Sequence, residues 1–159
     1  MPTLETVRNL RQSGQHEEAR SLLLRLLEAD PDDAVIFYET ACVHDALGYE
    51  REAVPFYERA LALGLDETTQ RSALLGLGST YRALGDYQAA IATLERGLAL
   101  FSDGHEFATF LAVAYYNTGA YDQAVRTLLH TLLKTTDDPN IIRYQRALHF
   151  YADRLDETW

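Results

Sequence analysis

A chain of 159 residues is long enough for one domain with a sizeable core, and 47% apolar with 24% charged residues fits many water-soluble folds. Fourteen Lys+Arg against 24 Asp+Glu set the formal charge at −10. That repels phosphate backbones and anionic lipid, so neither a nucleic-acid nor a membrane partner is expected.

The first residues, Met1-Pro2-Thr3-Leu4-Glu5, form neither a basic flank nor an apolar run, and no window approaches a membrane span, so a cytoplasmic location is expected. Thr3, Thr6, Val7 and Leu10 have helical spacing, and Gly14 breaks the pattern before a second helix bearing Ala19, Leu23, Leu26 and Leu27. Asp30-Pro31-Asp32-Asp33 ends this first unit, over about 1–33. In the second unit, about 34–67, Phe37, Thr40, Ala41 and His44 precede Gly48, and Ala53, Tyr57, Ala60 and Leu61 follow it. Pro55 inside that helix removes one amide donor and predicts a mild kink. Three extra residues, Thr68-Thr69-Gln70, are expected between elements. The third unit, about 71–104, has Leu74, Leu77, Gly78, Tyr81 and Leu84, then Gly85 with Asp86 as a cap, then Ala90, Leu94, Gly97 and Leu98. The fourth, about 105–138, has Ala108, Leu111, Ala112 and Tyr115, then Gly119, then Ala124, Leu128, Thr131 and Leu132. After Asp137-Asp138-Pro139-Asn140, the spacing of Ile141, Ile142, Leu148 and Ala152 predicts one capping helix over about 139–156.

The turn glycines 14, 48, 85 and 119 stand 34, 37 and 34 residues apart, each followed five residues later by alanine. Small residues at 41, 78 and 112 opposite Ala53, Ala90 and Ala124 let paired helices approach closely. This unit resembles the tetratricopeptide repeat family, in particular its small stand-alone bacterial members, and four copies cover residues 1–138. The resemblance implies an all-α fold: a right-handed α-α superhelix of four helix-turn-helix units plus a capping helix, forming a single domain over 1–159. The closing proline of the pattern is present only as Pro31, with Leu65, Ser102 and Thr136 elsewhere, and Val7 stands where the other copies have a small residue, which predicts looser packing there.

No spacing in the chain assembles an active site, which leaves a ligand-binding regulator or an enzyme built from residues of several helices as a remote alternative. His16, His44, His105, His130 and His149 never take metal-ligand spacing, and His44 occupies the core slot of Tyr81 and Tyr115. Gly76-x-Gly78 lies in a helical pattern with no strand before it, which reads as close helix packing rather than a dinucleotide site. Cys42 and His44 are two apart on one helix and point in different directions. No catalytic residue, metal or cofactor is expected.

Function should then lie on a surface. The face opposite the core carries Leu4, Arg8, Arg11 and Gln12, then Tyr38, Cys42 and Asp45, then Leu75, Ser79 and Arg82, then Thr109, Val113, Tyr116 and Asn117. In the resembled family the concave groove formed by such faces binds a partner's peptide or helix, which implies a protein-binding scaffold. The chaperone-tail clamp of some members is absent: Leu4 and Arg8 stand at its first-unit positions and Glu39 and Gly76 at the supporting ones. Residues 1–33 hold four basic and seven acidic residues and 34–67 two and seven, so a basic partner is expected on the first half. Tyr144, Phe150, Tyr151 and Trp159 are many aromatics for a cap. They fold against the fourth unit or form a self-association patch, as in a homodimer.

Overall fold

The computed structural model describes residues 3–158, and the chain divides into two compact units, 1–86 and 87–159. Ten helices and no strand occur among the described residues. The first unit holds α1 (Leu4–Gln12), α2 (His16–Ala29), α3 (Ala34–Ala46), α4 (Glu50–Leu63) and α5 (Glu67–Ala83). The second holds α6 (Tyr87–Leu100), α7 (His105–Asn117), α8 (Tyr121–Thr135), α9 (Pro139–Ile142) and α10 (Gln145–Ala152). The fold class is all-α, as the repeat pattern implies.

Backbone chemistry at the four turn glycines explains the alternation. Gly14, Gly48, Gly85 and Gly119 have φ of 77°, 78°, 80° and 82°, the left-handed region that side chains disfavour. There each glycine N–H donates to the carbonyl three residues back and the next N–H to the carbonyl five back, as in Gly48 to Asp45 (3.0 Å) with Tyr49 to His44 (2.9 Å). This pair of bonds, a Schellman motif, satisfies the last carbonyls of the first helix and turns the chain directly into the second. Aspartates set the starts of α3, α5 and α9. Asp33 accepts from the Val35 and Ile36 amides at 2.7 and 3.0 Å, Asp66 from Thr69 at 3.1 Å, and Asp138 from Asn140 at 2.8 Å.

The Asp66 cap corrects one expectation. Thr68-Thr69-Gln70 do not lie between elements: capped at Asp66, α5 begins at Glu67 and takes them in, giving 17 residues where α3 and α7 each have 13. The single capping helix is a second correction. Pro139 opens a one-turn α9, and Tyr144 at φ −107° and ψ 10° breaks the helical path before α10 starts. α4 runs without interruption through Pro55, whose ring is exposed.

In the first unit, Val7, Ala19, Leu22, Leu23, Ile36 and Val43 form one buried cluster between α1, α2 and α3. A second, Ala41, Ala53, Tyr57, Ala73 and Leu77, joins α3, α4 and α5. Each fully buried aliphatic side chain, Leu23 among them, contributes about 1.5–3 kcal/mol. In the second unit, Phe107 is fully buried and stacks on Phe101 at 5.9 Å with rings nearly parallel. A Cβ at Gly97 would stand 2.2 Å from the Phe107 ring.

Two glycines thus act by different physics, which a mutant cycle separates. Gly119→Ala meets no atom but strains the turn, at about 1–2 kcal/mol, and no neighbouring substitution relieves it. Gly97→Ala overpacks the Phe107 ring at about 1–3 kcal/mol, and Phe107→Leu in the same chain recovers part of the loss. Urea unfolding of the single and double variants measures both.

Candidate functional site

In the first unit several of the surface residues read from helical phase are engaged within the fold. Arg8 Nε lies 3.1 Å from Glu39 Oε1, and Arg11 Nη1 holds Glu39 Oε2. The Glu39 side chain is only 5% exposed, whereas that of Arg8 is 55% exposed. Glu39, by sequence a supporting position of the absent clamp, is the anchor that fixes both arginines. With Gln12, His16 and Ala46 the three line a cavity of about 370 Å³. His16 Nδ1 is the one buried side-chain nitrogen or oxygen without a hydrogen-bond partner among the described residues.

Tyr38, Cys42 and Asp45 belong to a node centred on Tyr57, a residue of α4 first read as plain core. The Tyr57 hydroxyl donates to Asp45 Oδ2 at 2.8 Å and lies 3.7 Å from Cys42 Sγ, and its ring packs 6.3 Å from Tyr38. From α5, the Thr80 hydroxyl reaches Asp45 Oδ2 and the Gly76 carbonyl, both at 2.8 Å. A Cβ at Gly76 would stand 2.7 Å from the Tyr57 hydroxyl, so the missing side chain makes the slot for the ring. Gly76 therefore serves helix packing. Burial raises the Tyr38 and Tyr57 phenols and the Cys42 thiol, so all three stay protonated at neutral pH. Burial also raises the Asp45 carboxyl, against the opposing bonds from Thr80 and Tyr57. Leu75, Ser79 and Arg82 are half-buried on α5.

The core reading of His44 agrees with the structure. The ring is buried, with Nδ1 2.8 Å from the Thr40 carbonyl and Nε2 3.3 Å from Arg20 Nε. Since Arg20 only donates, Nε2 accepts and Nδ1 faces the carbonyl as donor. The tyrosines in the equivalent slots reach back to glutamates of the preceding hairpin. Tyr81 donates to Glu58 at 2.6 Å and Tyr115 to Glu95 at 3.0 Å. Burial, with Glu58 beside it, pushes the Tyr81 phenol up to about 12.

The second unit is different. Thr109, Val113, Tyr116 and Asn117 are all exposed on α7, and Tyr116 pairs with Tyr121 at 5.2 Å. Val113 and Tyr116, with Tyr121, Val125 and Leu128 of α8, line an apolar cavity of about 340 Å³. On the cap, Tyr144, Phe150 and Tyr151 are 58, 46 and 43% exposed. Arg143 lies over Tyr144 at 5.8 Å and Arg154 over Phe150 at 4.3 Å. Trp159 lies outside the described residues. α10 is held on α8 through fully buried Ala152, whose carbonyl is 3.4 Å from Arg126 Nε, and through Asp153, which meets Arg126 and His130 at 3.4 and 3.5 Å. No group of three His, Cys, Asp or Glu among the described residues could hold a metal ion, and no described helix is long and apolar enough to cross a membrane.

The sequence profile of the family described as Tetratrico peptide repeat matches residues 34–155. Over 86 residues the chain is 36% identical to the probable biofilm formation methyltransferase WspC of Pseudomonas aeruginosa; this is 54% of the chain but only 20% of that protein. Among solved structures, MamA from Desulfovibrio magneticus RS-1 superposes with a TM-score of 0.73 at 17% identity, over 93% of this chain and 85% of that one. YrrB, described as a TPR protein with an unusual peptide-binding site, gives 0.72 at 19% identity, over 94% and 76%. At these identities the likeness is one of fold.

Two measurements test the first-unit geometry. Arg11→Ala leaves a buried carboxylate with only an exposed partner and costs about 2 kcal/mol in urea unfolding, while Arg8→Ala costs under about 1 kcal/mol. Asp45 gives a pH signature. Its folded-state value lies above the ordinary 3.8, so its protonation favours the fold below 3.8, and that contribution is lost as pH rises through the raised value. Asp45→Asn keeps a partner for both hydroxyls and removes the loss, so the variant gains stability on the parent as pH rises from about 4 to 7. Parallel melts across that range check it.

Proposed function

We propose that this chain, which belongs to the tetratricopeptide repeat family, is a non-catalytic scaffold or adaptor that acts in the cytosol and holds a peptide or helix of a partner protein on the exposed faces of its first helices. The observation that carries the reading is the open apolar row of Val113 and Tyr116 on α7, beside exposed Thr109 and Asn117. Tyrosine in an accessible, half-apolar setting is a common anchor of protein interfaces. In the first unit the Tyr57–Asp45–Thr80 node bonds its polar side chains to one another, an arrangement that suits structure rather than turnover. The peptide-binding site for which YrrB is described supports the same reading.

Exposed acids such as Glu5, Glu28 and Asp30 support a partner of basic character toward the first half. A second reading, homodimerisation, is favoured by the open aromatics Tyr144, Phe150 and Tyr151 on the cap.

Affinity capture from the native cell, with the full chain as bait beside a Leu75→Ser/Tyr116→Ala variant, tests the scaffold. A direct partner is retained by the parent and weakened at least about tenfold by the variant. Equal retention of every partner overturns the assigned face. For the second reading, sedimentation over a concentration series detects a dimer that Phe150→Ser dissociates; an 18.0 kDa monomer throughout removes it.

A further inference from the structure

The hairpin α3–α4 is covered. α5 lies across it and buries Ala73 and Leu77 against Ala41, Ala53 and Tyr57, with Cys42 and Val54 partly buried at the edge. Aligning Gly48 with Gly119 puts α7–α8 in the same register: Ala112, Val113, Ala124, Val125 and Leu128 stand where α3–α4 has Ala41, Cys42, Ala53, Val54 and Tyr57. In the second unit no described helix takes the place of α5. α10 packs on α8 by another face, the side of Arg126 and His130, and leaves this one open. Val113, Tyr116, Tyr121, Val125 and Leu128 are 41 to 63% exposed as a result, although they line one apolar cavity.

We propose that the open face of α7–α8 seats an amphipathic helix of a partner protein. That helix carries a small residue, a leucine and an aromatic at i, i+4 and i+8, and a Lys or Arg in its last turn. The inference rests on the reading of this chain as a protein-binding module and names the occupant of one face. The pattern is that of α5 itself, with Ala73, Leu77 and Tyr81 followed by Arg82. Thr80, near the end of α5, meets Asp45, near the end of α3, so an occupant placed like α5 ends beside Tyr116, the equivalent of Asp45. An adjoining cavity at that end is lined by Gly119, Tyr121, Asp122, Val125, Leu155 and Asp156, acidic and without Lys or Arg among its described residues. A basic last turn is attracted there, and its helix C-terminus would otherwise face two carboxylates.

The polarity of the seat narrows the occupant further. Tyr116 and Leu128 replace the acceptor Asp45 and the hydroxyl of Tyr57, so the seat wants an apolar residue where α5 has Thr80. The first helix of a second copy fits poorly, since Glu5, Asn9 and Gln12 form its exposed side.

The test titrates the full chain against a fluorescent peptide of residues 66–85, and against the same peptide with Thr80→Val, by anisotropy. Both bind saturably, and the valine peptide binds about fivefold more tightly. Val125→Glu/Leu128→Glu lowers both affinities at least about tenfold with the melting temperature kept, and Leu128→Ser is the milder control should that pair disturb folding. Absence of saturable binding, or unchanged binding to the α8 variants, overturns the proposal. So does weaker binding of the valine peptide, which would mean that the probe displaces α5 from α3–α4. Self-association in sedimentation that the α8 variants abolish gives the face to a second copy instead. If the peptides fail while a captured partner is still lost on Leu75→Ser/Tyr116→Ala, only this proposal falls; if capture fails as well, the scaffold reading falls with it.

Discussion

A helical hairpin with apolar residues between and beside its two helices cannot satisfy itself; something must lie across the second face. This need for a covering helix organises the first unit, where α3 closes the α1–α2 cluster and α5 closes α3–α4. Glycine turns make hairpins and aspartate caps start the next helix, but these local devices only deliver apolar faces to one another. The remaining stability is burial, accumulated a few kcal/mol per side chain against the entropy of an ordered chain.

Polar groups at the same interfaces set alignment. Tyr81 with Glu58, and Tyr115 with Glu95, each join a helix to the hairpin before it at the same repeat position. Glu39 draws Arg8 and Arg11 onto α3, so positive charge that would serve an acidic ligand is compensated within the fold. Asp45, Tyr57 and Thr80 hold three helices to one node. The first unit thus uses its polar residues inwardly, while the α7 face of the second offers apolar ones outwardly.

Most of the architecture was legible because its signals are local. A glycine that must take positive φ is visible in one chain, and so is the helical spacing on either side of it. The misses concern longer range. The three extra residues became part of α5 because Asp66 supplied a cap ahead of them. Phase marked Arg8 and Arg11 as surface residues, yet their partner Glu39 lies 31 and 28 residues on, across a helix interface that phase does not describe. A usable signal was present in the repeat columns: Tyr57 stands where the other units have Leu23, Leu94 and Leu128, and such an outlier announces a local exception in packing. Of the surface set, helical phase found the α7 residues exposed, whereas Leu128 of α8 beside them reads as ordinary core because the absence of a covering helix is not written at its own position.

The Tyr57–Gly76 fit also constrains how this sequence can drift. While the ring occupies its slot, position 76 accepts no side chain without a shift of the ring. Were Tyr57 shortened to the leucine of its sister columns, the slot would become a void that position 76 is free to fill, and a return to tyrosine would then be blocked by the filled space. The order of substitutions at these two positions is therefore directional, and relatives should divide into lineages with the tyrosine–glycine pair and lineages with a leucine opposite a larger residue, with few intermediates between them.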